Sequence, residues 1–206
     1  MKHGYLSFAF DQGHALKKIN NQFVKDGVCN AMSYDWIKRG LCGARVTSRT
    51  YQNIPRDIAS MQMGVQSGVK TFADYAKRDG LSVHLLTRIK SVENGALYMG
   101  MTIWKWLDKS KLRLNHGFAH VGFGGVSGGH AVAFRLAGYQ SKFFDPNFGE
   151  CRFTNEDEMR KFWNLYSEKM YWSCSEMYSM GFEIRTLIGI PNDAAKLLKQ
   201  ETMDWL

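Results

Sequence analysis

Cys29 is the side chain in this sequence best placed by type and context to act as a nucleophile. It follows Gly27-Val28 and begins a helical pattern. The dipole and the unpaired N–H groups of a helix start favour a thiolate, and the N–H of the cysteine itself can donate to an oxyanion. A single cysteine at a helix start is more often a core residue than a nucleophile, so the interpretation depends on partners elsewhere in the chain.

His130 is the candidate for the general base. It follows Gly128-Gly129 and opens the apolar run Ala131–Phe134. The glycines leave space around the imidazole, and a strand holds it rigidly. The other histidines lie near the N-terminus, inside a strand pattern, or without a polar partner at a strand end; they are His3, His14, His84, His116 and His120.

Asp145 completes the set as an orienting carboxylate. It ends a short strand pattern within Phe143–Glu150, and Pro146 restricts it to an extended backbone. A tight turn near Gly138 would lay this strand beside the strand of His130 and bring the two side chains together. Together, in the order Cys, His, Asp, with the cysteine at a helix start and the other two on neighbouring strands, the three residues supply the nucleophile, base and orienter of thiol-based acyl transfer.

Three segments resemble the YopT-type cysteine proteases, which are papain-like enzymes of bacterial effectors and toxins. The segments are GVCNAMSYDWI around Cys29, GGHAVAF around His130 and FFDPNFGE around Asp145. Residues 41–115 show no such resemblance. The resemblance implies a papain-like fold with Cys29 as nucleophile, His130 as general base and acid, and Asp145 as the residue that orients His130.

The resemblance also implies a polar side chain shortly before the cysteine as a second oxyanion donor. Asn20, Asn21 and Gln22 all have a suitable type, and Gln22 is preferred. Asp26 is nearer in sequence but would repel an oxyanion. No cofactor and no metal is expected, since the chain has no CxxC pair.

The elements that must position these residues follow from hydrophobic periodicity and from turn residues. Helices are predicted at 15–25, 29–39, 56–78, 96–107 and 154–171, the last with a Thr154/Asp157 capping box, and a short final helix follows Pro191. Strands are predicted at 5–10, 81–89, 118–123, 130–137, 141–145, 150–154 and 182–190.

This order of elements predicts an α+β class, with a nucleophile helix packed on a C-terminal antiparallel sheet. The length of 206 residues favours one catalytic domain over residues 1–206. Its helical part is expected at about 1–115 and its sheet-rich part at about 116–206.

The composition limits the classes of function. The net charge is +8, and residues 1–103 hold 14 Lys and Arg against 7 Asp and Glu, a net of +7. Four cysteines are too few for a disulfide scaffold. Neither a signal peptide nor a transmembrane segment is recognised. We therefore expect either export by a bacterial secretion system that needs no signal peptide or a cytoplasmic enzyme.

The sequence thus predicts a cysteine protease that acts as a secreted effector or toxin on a protein of a target cell. A basic enzyme is expected to prefer an acidic substrate, and an acidic immunity protein or a secretion chaperone would be a possible partner. The same three residues also suit a glutamine deamidase or a transglutaminase. A basic nucleic-acid-binding module or a catalytically silent binding module is the alternative of a different class, although no nucleic-acid-binding motif is present.

Overall fold

The fold is a central sheet with helices on both faces. Both faces are covered because the side chains of each strand alternate between them. The structure is a computed structural model that describes residues 5–17, 27–52, 54–90, 95–110, 115–125, 128–173 and 181–203. Within these ranges seven strands form one antiparallel sheet in the order β1-β6-β5-β4-β3-β7-β2. The strands are β1 Tyr5–Ala9, β2 Ser82–Ile89, β3 Phe118–Gly125, β4 Gly128–Arg135, β5 Ser141–Asp145, β6 Gly149–Phe153 and β7 Gly181–Ile188.

The α-helices lie between these strands along the chain, and short 3-10 turns join some of them. The helices are α1 Gln12–Leu16, α2 Cys29–Leu41, α3 Arg56–Gln66, α4 Phe72–Arg78, α5 Gly95–Ser110, α6 Glu156–Ser173 and α7 Ala194–Met203. The predicted α+β class and the packing of the nucleophile helix on an antiparallel sheet are confirmed. The two outer strands, β1 and β2, come from the N-terminal half of the chain.

Two adjacent residues of β5 show how the sheet separates its two cores. The Phe144 ring stacks on Trp36 of α2, with centroids 5.6 Å apart. The Phe143 ring points the other way and contacts Tyr166 of α6 at 4.9 Å. Because strand side chains alternate between faces, α2 to α4 cover one face, and α5 and α6 cover the other.

The prediction of one helix over 56–78 is wrong, because the chain breaks between α3 and α4. Gly68 has φ +70° and allows the turn. Thr71 then caps α4: its hydroxyl accepts the Asp74 N–H at 3.2 Å, and the Asp74 carboxylate accepts the Thr71 N–H at 2.7 Å. The reciprocal cap outweighs the continuous apolar spacing.

Two helix starts also differ from their predictions. Asn155, rather than Thr154, caps α6, since its side-chain oxygen accepts the Glu158 N–H at 2.9 Å. The Glu158 carboxylate then accepts the Thr154 hydroxyl at 2.7 Å. The first helix begins at Gln12 rather than residue 15 because Asp11 caps it, and residues 18–26 of its predicted span lie outside the described residues. None of the described helices has the length and apolar character needed to cross a membrane.

Candidate active site

Cys29 is the first residue of α2, as predicted, and a positive-φ glycine turn precedes it. Gly27 has φ +105°, and Val28 caps the helix without a side-chain hydrogen bond. The Cys29 Sγ lies 4.0 Å from the carbonyl oxygen of Gly129, at the beginning of β4. The thiol therefore meets the sheet where two glycines, which have no side chains, open β4.

His130 and Asp145 share one face of the sheet on neighbouring antiparallel strands. The register pairs Ala133 of β4 with Phe144 of β5, so His130 and Asp145 both point to the opposite face and lie diagonally across the strand pair. The His130 Nε2 lies 3.1 Å from the Asp145 Oδ1. This contact leaves Nδ1 as the ring nitrogen for the Cys29 thiol, which is also a hydrogen-bond partner of the imidazole.

The His130 imidazole is buried and held in its charged form. Burial by itself would lower the pKa of His130, but the Asp145 carboxylate and the hydrogen bonds with Asp145 and Cys29 raise it to about 10. The ring also packs against Phe123 at 5.6 Å, with a T-shaped geometry. A protonated imidazole beside a thiol favours the thiolate–imidazolium pair that cysteine-based catalysis uses.

His120 gives a contrast within the next strand. It is fully buried and packs against the Phe72 ring at 4.8 Å. Burial and the positive charge of Arg185 lower the pKa of His120 to about 3. A histidine that stays neutral without a carboxylate partner suits the core better than proton transfer.

Two donors besides His130 hold the Asp145 carboxylate, whose side chain is fully buried. The Asn147 N–H donates to Oδ1 at 2.6 Å, and the Tyr166 hydroxyl donates to Oδ2 through a short hydrogen bond. Asn147 belongs to the turn between β5 and β6, whereas Tyr166 reaches the carboxylate from α6. Sequence reasoning did not identify Tyr166; the apolar spacing of α6 indicates a buried face but not the direction of its hydroxyl.

Two glutamines that the sequence analysis did not single out stabilise the segment around Cys29. The Gln12 amide accepts the Val28 N–H at 2.9 Å and donates to the Asn147 side chain at 2.6 Å, which joins the cysteine turn to the aspartate turn. The Gln62 side chain of α3 accepts the Ala31 N–H at 3.1 Å and satisfies one of the open donors at the start of α2.

Cys29 and His130 line a cleft of about 790 Å³ at this end of the sheet. Its other walls come from α3, from the turn before α4, and from β2, β3 and β7. Four basic residues and one acidic residue line it: Lys70, Arg88, Lys90, Arg185 and Glu183. The Glu183 carboxylate binds Arg88 at 2.8 Å and Arg185 at 2.7 Å, so the cleft keeps an excess of positive charge.

The structure thus brings Cys29, His130 and Asp145 together, while Gln22 lies outside the described residues. Cys29 also supplies one of the first N–H groups of α2, which helix geometry leaves without a partner inside the helix. In chemical terms the site holds a thiol, an imidazole hydrogen-bonded to a carboxylate, and an amide N–H beside an open cleft, which are the groups that thiol-based acyl transfer uses.

One family model and two solved structures are similar to this chain. Residues 115–178 match the peptidase family C58, described as the Yersinia/Haemophilus virulence surface antigen. The crystal structure of the Pseudomonas avirulence protein AvrPphB superposes with a TM-score of 0.57 at 17% identity, over 88% of this chain and 96% of that chain. PatoxP, a cysteine protease-like domain of the Photorhabdus asymbiotica toxin PaTox, superposes with a TM-score of 0.40 at 15% identity, over 90% of this chain and 55% of that chain. No curated protein sequence matches the chain.

The fold is therefore papain-like, as the match to AvrPphB shows. The family match covers both His130 and Asp145. Over residues 115–178 the chain is therefore similar to the C58 peptidases, in agreement with the resemblance of its motifs to the YopT-type cysteine proteases.

Proposed function

We propose that this protein is an endopeptidase with Cys29 as nucleophile, His130 as general base and acid, and Asp145 as the residue that orients His130. The observation that supports this assignment most strongly is that Cys29 and His130 line one cleft while the buried Asp145 carboxylate binds His130 from behind it. Residues 1–206 act as one catalytic domain in this proposal, since the sheet that carries His130 is completed by strands from the N-terminal half.

In the proposed mechanism the thiol proton already resides on His130 as a thiolate–imidazolium pair, and the Cys29 thiolate attacks the carbonyl carbon of a peptide bond. The Cys29 N–H stabilises the oxyanion that forms. The carbon–nitrogen bond breaks as His130 returns its proton to the leaving amine, and a thioester remains. A water molecule that gives its proton to His130 then hydrolyses the thioester, which releases the acid product and restores the thiolate–imidazolium pair.

The proposed substrate is a protein with acidic residues near the cleavage site. Lys70, Arg88 and Lys90 are exposed at the cleft, and Arg88 shares the single carboxylate of Glu183 with Arg185. Such a surface attracts acidic segments and repels basic ones.

The biological role that fits the comparisons is that of a bacterial effector or toxin that enters a target cell. The matched family is described as a virulence surface antigen, and AvrPphB is an avirulence protein. Export without a signal peptide belongs to this proposal, as does an acidic immunity protein or a secretion chaperone that binds the basic cleft.

The test is cleavage of a peptide library rich in Asp and Glu, followed by mass spectrometry. Wild type should produce fragments, Cys29→Ala should abolish them, and Asp145→Asn should slow their release strongly without stopping it. Cys42→Ala is the matched control, because Cys42 lies at the other end of α2, and this variant should cleave like wild type. Fragmentation by Cys29→Ala at the wild-type rate would overturn the proposal.

The same experiment separates proteolysis from the other acyl transfers that a thioester allows. A glutamine deamidase would convert a side-chain amide to an acid without cutting the chain, and a transglutaminase would join two peptides. If either product formed in place of fragments, and did not form with Cys29→Ala, the assignment of the triad would stand but the proposed reaction would change.

A further inference from the structure

A second cavity lies at the far end of the sheet from Cys29. It has a volume of about 360 Å³, and its walls come from the last turn of α2, the ends of β3 and β4, and the edges of β5 and β6. Eleven residues of helix separate Cys29 from Gly40 in its wall, which corresponds to about 16 Å at 1.5 Å per residue. The residues that line this cavity and those that line the catalytic cleft do not overlap.

Basic side chains dominate this cavity, which we call the basic pocket. Arg45, Arg135, Lys142 and Arg152 line it, and Glu150 is its one carboxylate. The pocket therefore carries more positive charge than its own carboxylate neutralises.

The Glu150 carboxylate is already fully used by groups of the protein. Its Oε1 binds the Lys142 Nζ at 3.3 Å and the Arg152 Nε at 3.1 Å, and its Oε2 accepts the Trp36 indole N–H at 2.9 Å. The side chain is only 2% exposed. Glu150 therefore already pairs with two cations in the wall of the pocket.

Two further observations indicate that the cations of the pocket repel one another and are not all paired within the described part of the chain. The Arg135 Nε is buried and has no hydrogen-bond partner within the described part of the chain, while its guanidinium lies 5.5 Å from the Phe118 ring. Burial lowers the pKa of Lys142, and the positive charges of Arg152 and Arg135 act in the same direction, against the raising effect of Glu150. An unpaired buried guanidinium nitrogen is costly unless something binds it.

We propose that the basic pocket binds a small molecule that carries two or more phosphate groups. Guanidinium groups match phosphate oxygens through paired hydrogen bonds, and a lysine adds a compact charge. The volume lies at the small end of the range for small-molecule sites. The exposed ring of Tyr139 lies at the rim and offers a surface for the organic part of such a ligand.

Calorimetric titration of the full chain with inorganic pyrophosphate and with tripolyphosphate tests this proposal. We expect binding by wild type at low salt, with affinity that increases from pyrophosphate to tripolyphosphate. Arg135→Gln and Lys142→Gln should each weaken binding at least about tenfold, the change expected for loss of one charge-assisted hydrogen bond. Arg160→Gln removes the same charge from the surface of α6, outside the pocket, and should bind like wild type.

The outcomes are distinct from those of the peptidase assay, because binding is measured without turnover and can be repeated in Cys29→Ala. Circular dichroism and thermal unfolding show whether each variant is folded, and Lys142→Gln serves if Arg135→Gln is not. Absence of binding to wild type at about 1 mM ligand would overturn the proposal. Equal weakening by Arg160→Gln would also overturn it, since the attraction would then belong to the net charge of the chain.

Discussion

Both oxygens of the Asp145 carboxylate have hydrogen-bond partners, which fix the orientation of the carboxylate. His130 and Asn147 bind Oδ1, and Tyr166 binds Oδ2. The Asp145 side chain is fully buried, so water does not compete for these bonds. The position of the His130 ring therefore depends on residues from a strand, a turn and a helix.

Tyr166→Phe tests the positioning role of the hydroxyl. The Phe ring keeps the aromatic contacts with Phe143 and Trp163 but removes a hydrogen bond to a charged group, which is worth about 1.5–3 kcal/mol. We expect kcat to fall by about tenfold or more while KM changes little, since Tyr166 does not line the cleft. Steady-state kinetics on a cleaved peptide measure both values.

Tyr139→Phe is the matched control, because Tyr139 is 86% exposed and precedes β5, whereas Asp145 is the last residue of that strand. A rise in KM with constant kcat in Tyr166→Phe would contradict the positioning role. So would a kcat equal to that of wild type.

The pH dependence of stability tests the pairing of His130 with Asp145. The folded pKa of His130 is raised from the ordinary value of 6.5 to about 10. The stabilisation from this proton is therefore complete below about pH 6.5 and is lost as the pH rises towards about 10. Urea unfolding should show that the advantage of wild type over Asp145→Asn shrinks across this range. A difference in unfolding free energy that stays constant from pH 6 to pH 10 would contradict the pairing.

Helix α2 connects the nucleophile to the sheet, and the close packing of this helix on β3 depends on one glycine. A Cβ atom at Gly40 would lie 2.3 Å from the Phe118 ring, which is itself 2% exposed. Trp36 packs against the same ring at 5.6 Å. The C-terminal part of α2 therefore approaches β3 as closely as the backbone allows, and this contact sets the height of the helix above the sheet.

Gly40→Ala should destabilise the fold although alanine is the better helix former. A Cβ 2.3 Å from a buried ring places the steric cost in the upper part of the overpacking range, about 2–3 kcal/mol, which exceeds the gain of about 1 kcal/mol in helix propensity. We expect a net loss of about 1–2 kcal/mol in unfolding free energy by urea denaturation. Gly13→Ala at an exposed position of α1 is the control: its Cβ would meet only the flexible Asp11 side chain, at 3.2 Å, and the change in unfolding free energy should stay within about 0.5 kcal/mol. Wild-type stability of Gly40→Ala would show that α2 lies further from β3.

The sequence predicted the strands better than the exact helix ends, for physical reasons. Short apolar runs between glycines leave few alternatives, so β5 is found at its predicted bounds, 141–145. The break between α3 and α4 depends on the Thr71 and Asp74 hydrogen bonds, which compete with an apolar spacing that continues across the break. Local periodicity cannot show which of the two prevails.

The candidate site, too, could be predicted from the sequence only in part. Cys29, His130 and Asp145 stand in short motifs, and neighbouring strands place two of them together. Tyr166 contributes through a contact between a helix and a sheet 21 positions apart in sequence, so no local pattern indicates it.

On the scale of the whole molecule, whose net charge is +8, basic side chains line two concave surfaces rather than one. The catalytic cleft is lined by Lys70, Arg88, Lys90 and Arg185 against Glu183, and the basic pocket lies at the opposite end of the sheet. Both surfaces are suited to anions of different size, an acidic protein segment at the first and a compact polyphosphate at the second.

Salt dependence tests the charge preference of the catalytic cleft. The Debye length falls from about 30 Å at 0.01 M salt to about 10 Å at 0.1 M, so salt weakens the attraction between the cleft and an acidic peptide. We expect kcat/KM to fall severalfold for an acidic peptide and to stay nearly constant for a neutral peptide of the same core sequence. Lys90→Gln should reduce the salt effect, whereas Arg160→Gln should not. An equal salt effect on both peptides would contradict this preference.

The reactivity of the individual cysteines tests the central claim, that Cys29 is an activated nucleophile, without knowledge of the substrate. Cys29 is 7% exposed and Cys42 is more exposed, so access alone would make Cys42 react first. Burial and then Glu150 raise the pKa of Cys151 to about 11, which keeps this thiol unreactive.

The measurement is the rate of iodoacetamide alkylation at each cysteine, followed by peptide mass spectrometry in wild type and in His130→Ala. The account predicts that Cys29 reacts first in wild type and at least about tenfold more slowly in His130→Ala, since the thiolate loses its imidazolium partner. Faster alkylation of Cys42, or a Cys29 rate that is unchanged in His130→Ala, would contradict it.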